Sequence, residues 1–227
     1  MSRGVFVTGT DTGVGKTLAA CALVHALRRR GLRVAPMKPV AAGAVANAGG
    51  WANEDTLALA AAAGPGCPAL EAITPVLLRE PMAPHVAASR EGREIVLAPL
   101  LEAHRRLASG SDFTVVEGVG GFLVPLAPGL DARDLAVGLG LPVVLVVGMR
   151  LGCLNHALLT AESVRACGLR LAGWIANAID PGMAAADENV AALRERLSAP
   201  LLGRFPHSPR GDAAALADLV DVPALLA

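Results

Sequence analysis

The residues whose types and spacing point most directly to chemistry lie between Val5 and Thr17, in Val-Phe-Val-Thr-Gly-Thr-Asp-Thr-Gly-Val-Gly-Lys-Thr. A short apolar run leads into a turn of small residues, and a helix-forming stretch follows. In that context the turn around Gly13, Val14 and Gly15 points successive backbone N–H groups at an anion, and the helix behind it adds the positive end of its dipole. Lys16 then reaches the outer phosphates of a nucleotide as a mobile cation, and the Thr17 hydroxyl serves as a magnesium ligand. The loop is a variant of G-x-x-x-x-G-K-[ST]: the first glycine falls at Gly9, and Thr10 stands where the common pattern places it.

A second cation is singled out by composition. Of the 20 basic residues only Lys16 and Lys38 are lysine, and the rest are arginine. One of the two sits in the phosphate loop, which draws attention to the other. Glu117 ends the apolar stretch Asp112-Phe-Thr-Val-Val-Glu117 and is followed by Gly118, Gly120 and Gly121. Burying an unpaired carboxylate is costly, so Glu117 needs a cation. Asp55 follows Asn53, a plausible helix N-cap, and Glu54. Either both acids only serve the helix dipole, or Asp55 contributes to a metal site. Arg150-Leu-Gly-Cys-Leu-Asn-His156 opens another helix, whose start is either an ordinary cap or a second anion site. His85 lines a site or is a loop histidine with its own partner.

The elements that must position these groups alternate along the chain. Strands are expected at 4–10, 33–38, 112–117, 142–148, 170–178 and 201–205. Helices are expected at 16–30, 53–63, 94–108, 131–140, 150–167, 187–197 and 212–219. Residues 41–50 read as a small-residue loop. Residues 64–92, with Pro65, Pro68, Pro75, Pro81 and Pro84, read as an irregular and functional loop. Pro142-Val-Val-Leu-Val-Val-Gly148 is apolar throughout, as a parallel strand covered on both faces must be. The alternation predicts an α/β fold, one doubly wound and mostly parallel sheet forming a single domain over residues 1–227. Lys38, Glu117 and Asn177 then fall at strand tips on the rim that carries the phosphate loop, where open sheets bind ligands. Two cations facing phosphate and two acids beside Thr17 are the equipment for ATP-dependent phosphoryl transfer with Mg2+.

Composition sets the bounds. The chain has 227 residues, 53% of them hydrophobic and 18% charged, with zero formal net charge. That balance gives no bulk attraction to nucleic acid or to a membrane surface. No apolar run reaches the length of a spanning helix. The first strand begins at once, which argues against a signal peptide. Cys21, Cys67, Cys153 and Cys167 show no C-x-x-C pairing and suit small buried residues in a reducing cytoplasm.

The chain resembles the dethiobiotin synthetase family in a set of stretches that span nearly its whole length. They are Gly9-Thr-Asp-Thr-Gly-Val-Gly-Lys-Thr17, Met37-Lys-Pro-Val40, Asn53-Glu-Asp55, Pro84-His85, Val116-Glu-Gly-Val-Gly-Gly121, Leu151-Gly-Cys-Leu-Asn-His156, Trp174-Ile-Ala-Asn177 and Pro200-Leu-Leu-Gly203. The phosphate loop is common to many ATPases; the Lys-Pro-Val and Leu-Gly-Cys-Leu-Asn-His stretches are more specific. The resemblance implies a cytoplasmic homodimer with active sites at the subunit interface, acting on 7,8-diaminopelargonate, CO2 and ATP. It implies that Lys16 and Lys38 act in transfer, with Lys38 on a substrate carbamate, and that Thr12 contacts the substrate or phosphate region. Thr17, Asp55 and Glu117 would ligate magnesium. Asn177 would read the adenine edge, and the backbone at Pro206 would complete that pocket. Backbone N–H groups of Gly152, Cys153, Leu154 and Asn155 would take the substrate's tail carboxylate from the partner subunit. Two departures stand out. Ala42 replaces the family's usual serine after Lys-Pro-Val-Ala, and His207-Ser-Pro-Arg210 matches poorly.

Two other classes share the plan. Amidoligases of cobyrinate synthesis add a glutaminase domain, for which these 227 residues leave no room. Partition and septum-positioning ATPase switches place a second lysine early in the phosphate loop, where this chain has Asp11. They often end in a basic amphipathic helix, whereas residues 213–227 are acidic and apolar.

Overall fold

A computed structural model describes residues 3–47, 50–208 and 211–226. Strand β1 (Gly4–Gly9) leads into helix α1 (Lys16–Arg29), then β2 (Val34–Met37). Short strands β3 (Val40–Ala42), β4 (Val45–Asn47) and β5 (Gly50–Ala52) precede α2 (Glu54–Ala63). Next come α3 (Leu70–Ile73), β6 (Val76–Leu78), α4 (Pro84–Arg90), α5 (Leu97–Ser109) and β7 (Phe113–Glu117). A small β8 (Pro125–Ala127) and β9 (Leu130–Asp131) pair leads to α6 (Ala132–Leu139) and β10 (Val143–Met149). The chain continues through α7 (Cys153–Ala166), β11 (Leu171–Ala178), α8 (Ala186–Arg196), β12 (Leu201–Phe205), α9 (Ala213–Leu216) and α10 (Val222–Leu226).

Six strands form one sheet in the order β12-β11-β10-β1-β7-β2, and every pairing in it is parallel. Alternation along β1 explains the two-sided core. Val5 and Val7 pack on one face with Leu23 and Leu27 of α1, Leu59 of α2 and Leu216 and Leu225 near the C-terminus. Phe6 packs on the other with Val143 and Trp174, Ala157 and Val164 of α7, and Leu193 of α8. All seven residues of β10 are buried, as its unbroken apolar run requires.

The long elements lie where the sequence places them, within a few residues. Asn53 caps α2 by accepting from the Asp55 N–H at 3.0 Å. Gly31, at φ 80°, ends α1 with its N–H on the Arg28 carbonyl at 2.9 Å. The expected loops hold more order than predicted. Within 41–50 the chain holds β4 and the first residue of β5, which pair antiparallel, and within 64–92 it forms α3, β6 and α4. These elements have three to seven residues, too few to show a period. β6 exists because it pairs with β3, Val40 facing Val76. Pro84 begins α4, where its missing N–H has no partner to lose. α5 starts at Leu97 rather than residue 94, with Pro99 in its first turn, and α10 was not anticipated. Of the poorly matching stretch, Pro209 and Arg210 lie outside the described residues.

His104 of α5 is buried, with its Nε2 3.0 Å from the Thr114 hydroxyl on β7. Burial holds its pKa below the ordinary 6.5. The unfolded chain therefore binds this proton more readily than the folded one, so stability falls as pH drops below about 6.5. The wild type should lose urea resistance between pH 7 and pH 5 more steeply than His104→Gln. Parallel slopes for the two proteins would show that His104 contributes nothing.

Candidate active site

The phosphate loop connects β1 to α1 through two left-handed glycines, Gly13 at φ 74° and Gly15 at φ 88°. Gly15 is the N-cap of α1, so the free N–H groups of the first turn face the loop's concave side. Val14 between them is buried and anchors the loop against Gly148, where an added Cβ would come within 2.8 Å of it. Asn177, at the tip of β11, donates from Nδ2 to the Val14 carbonyl at 2.9 Å. Lys16 donates from Nζ to the Asp11 carbonyl at 2.9 Å. Burial, followed by the nearby Lys38 charge, lowers the Lys16 pKa from 10.5 to about 8. Lys16 thus stays mainly protonated at neutral pH.

Behind the loop, four side chains from four elements converge. Lys38 follows the end of β2 and places Nζ 2.5 Å from Glu117 Oε1, 2.8 Å from Asp55 Oδ2 and 3.2 Å from the Gly118 carbonyl. The Thr17 hydroxyl lies 2.8 Å from Asp55 Oδ1 and 2.9 Å from Glu117 Oε1. Having one proton, it donates to one of them at a time. Burial drives the Glu117 carboxyl upward, with the Lys38 charge opposing it. Burial alone would lower Lys38, but Glu117 and Asp55 outweigh it and hold the ammonium above its ordinary value. Burial likewise acts to raise Asp55, and Lys38 and Thr17 bring it below the ordinary value.

These residues suit a hard divalent cation. Glu117 Oε2 is buried and has no hydrogen-bond partner. Thr17 and Asp55 add a hydroxyl and a second carboxylate, the oxygen donors that Mg2+ selects. Among the described residues no group of three or more His, Cys, Asp or Glu could hold a metal ion. An ion here would draw its remaining oxygens from phosphate and water.

A cavity of about 710 Å³ opens over this cluster. The structure brings Thr12, Gly13, Gly15, Lys16, Thr17, Lys38, Asp55 and Glu117 to its wall, with Ala42 beside them. Pro81 to Pro84, from the proline-rich segment read as a functional loop, line it too, as do Val119 and Val124, of which only Val124 falls outside the stretches the sequence singled out. Gly152, Cys153, Leu154, Asn155, Asn177 and Pro206 do not line it. Gly152, Asn155 and Pro206 are exposed, Leu154 is half-buried, and Cys153 packs inward at the start of α7. His85 is exposed and also absent from the wall. A hollow of about 770 Å³ lies among Arg28, Arg29, Arg33 and Arg106 at the opposite end of the strands. Its arginines already pair with Asp218, Asp112 and Glu102 or with the Ala62 carbonyl, and it holds none of the groups above.

A phosphate loop, a second buried lysine and paired acids at the carboxyl edge of a parallel sheet define a P-loop nucleotide-dependent protein. A family model described as an AAA domain matches residues 3–215. Among solved structures, the septum site-determining protein MinD complexed with Mg-ADP from Pyrococcus horikoshii covers 99% of this chain and 89% of its own, at 19% identity and a TM-score of 0.61. The cell division ATPase MinD of Pyrococcus furiosus covers 100% of both at 18% identity and a TM-score of 0.64. These likenesses establish the fold. Sequence goes further. The ATP-dependent dethiobiotin synthetase BioD of Aromatoleum aromaticum is 54% identical over 221 residues, 97% of this chain and 98% of that protein. Its namesake from Ralstonia nicotianae is 55% identical over 222 residues, 98% and 96% of the two chains. The chain belongs to the ATP-dependent dethiobiotin synthetase family, ligases of biotin biosynthesis.

The loop's geometry makes a direct prediction. A Cβ on Gly15 would sit 2.2 Å from Asn177 Nδ2 in a left-handed conformation, whereas a Cβ on Gly13 meets nothing within 4 Å. Gly15→Ala should weaken ATP binding by roughly tenfold or more, and Gly13→Ala by clearly less. Calorimetric titration of the two variants checks this order.

Proposed function

We propose that the cavity over Lys38 binds 7,8-diaminopelargonate beside ATP and closes its two amines onto one CO2. The observation that carries this reading is the placement of Lys16 and Lys38 with Asp55 and Glu117 on one wall. CO2 adds to the 7-amino group and gives a carbamate. The terminal phosphoryl of ATP transfers to a carbamate oxygen, releasing ADP. The 8-amino group then attacks the carbamate carbon, phosphate leaves, and the ureido ring of dethiobiotin closes.

The residues take roles that their contacts support. Lys38 holds two carboxylates within 2.8 Å. A carbamate has the same pair of oxygens, so Lys38 exchanges an acid oxygen for a substrate oxygen. Lys16 leaves the Asp11 carbonyl for the outer phosphates, and the backbone N–H groups of Gly13, Val14 and Gly15 bind their oxygens. Thr12, exposed at the cavity mouth, contacts the phosphate or substrate region. Thr17, Asp55 and Glu117 hold Mg2+, which when bound offsets the phosphate charge. Asn177 and the backbone at Pro206 border the adenine. Ala42 presents a methyl group where the family's serine supplies a hydroxyl, so substrate binding is weaker while turnover persists.

Gly152 to Asn155 lie off their own cavity, and the neighbouring Leu151 is 95% exposed. Both features fit a homodimer in which the start of α7 takes the tail carboxylate of substrate in the partner's site. No helix among the described residues is long and apolar enough to cross a membrane. We place this single-domain enzyme in the cytoplasm.

The test is ADP release with Mg2+, bicarbonate-derived CO2 and the diamine, each omitted in turn. Release that needs both diamine and CO2, with dethiobiotin as product, is expected. Lys38→Ala should lower turnover by about 100-fold or more while ATP still binds. Steady ATP hydrolysis indifferent to diamine and CO2 would overturn the proposal.

A further inference from the structure

Asp11 is an acid built into a loop that serves anions. Both its ends shape that loop. Oδ1 accepts the Thr12 N–H at 2.7 Å, and the main-chain carbonyl accepts Lys16 Nζ at 2.9 Å. Its negative charge, however, opposes phosphates in the same cradle. Arg150, directly after β10, answers that charge by donating to Asp11 Oδ2 at 2.5 Å. Among the described residues Arg150 has no other ion pair. The Thr12 N–H first, and then Arg150, keep the Asp11 carboxyl below its ordinary value, so the acid stays ionised. The Arg150 carbonyl accepts the Cys153 N–H at 3.0 Å, in the turn that opens α7. One residue thus touches the phosphate loop with its side chain and the start of α7 with its backbone.

We infer that Arg150 is a positioning residue for the reaction: its guanidinium neutralises Asp11 beside the nucleotide phosphates and fixes the phosphate loop against the start of α7. The pair is about half exposed, 42% and 46% for the two side chains. Such pairs contribute little to stability. A purely structural role therefore leaves ATP affinity untouched, whereas charge balance beside phosphate does not. The inference rests on the phosphate-loop reading above, and the experiment separates the two.

Full-length wild type, Arg150→Met, Arg150→Lys, Asp11→Asn and the double variant Asp11→Asn/Arg150→Met are compared. Mg·ATP affinity is measured by calorimetry, KM and kcat by ADP release with the diamine, and thermal melting in parallel. Arg150→Met should bind Mg·ATP about tenfold more weakly, since it leaves a bare carboxylate beside the phosphates. Arg150→Lys should recover most of the loss. The double variant should bind ATP more tightly than Arg150→Met because the uncompensated charge is gone. Its kcat should stay below that of wild type because the loop is no longer tied to α7. Melting temperatures should hardly move. Arg150→Met with wild-type ATP affinity would overturn the inference, as would a double variant that binds no better than Arg150→Met. A wild type that binds no Mg·ATP would remove the phosphate-loop reading and this inference with it.

Discussion

A buried carboxylate governs the layout of this site. Glu117 is 1% exposed, and its Oε2 has no partner. Taking such a group out of water is affordable only beside a cation. Lys38 supplies one, and Asp55 and Thr17 complete the cluster around it. The proposed reaction makes the same electrostatic demand. A triphosphate, the proposed carbamate and two acids cannot crowd together without cations, and both lysines of the chain, Lys16 and Lys38, stand at this cavity.

The parallel sheet is what makes that crowding reachable. β1, β2 and β7 are neighbours and run the same way, so the phosphate loop, Lys38 and Glu117 emerge at one edge. Helix α1 begins at this edge and brings Lys16 and Thr17 with it. Asn177 braces the loop from the far side, through a hydrogen bond to the Val14 carbonyl. The loop's shape therefore depends on β11 as well as on its own glycines. The MinD proteins share the architecture at 18–19% identity. What separates this chain from them is carried by side chains, which is why 54–55% identity to dethiobiotin synthetases decides the family.

Much of this was legible in the sequence, for reasons that can be stated. β10 and β7 declare themselves because strands buried on both faces must be apolar throughout. Glu117 stands out because charge at the tip of such a strand needs a reason, and Lys38 because it is one of only two lysines among 20 basic residues. The small elements α3, β6 and α4 were not legible, since their existence depends on pairing and packing partners distant in sequence. The same segment could be read as functional from its length and prolines, but which of its residues, Pro81 to Pro84, reach the cavity could not. Asn177 could be placed on the rim, but its bond to a carbonyl 163 residues away could not be read from spacing. Asp11 and Arg150, 139 residues apart, are a second such case.

The central claim is that Glu117, Asp55 and Thr17 form the metal pole of the ATP site. The most direct measurement is the binding of Mn2+, as a paramagnetic stand-in for Mg2+, to the ATP-loaded protein, followed by electron paramagnetic resonance for wild type and Glu117→Gln. The amide keeps the size of the side chain and removes its charge. The account predicts that Glu117→Gln remains folded by circular dichroism and binds Mn2+ at least about tenfold more weakly. A folded Glu117→Gln that binds Mn2+ with wild-type affinity would contradict it.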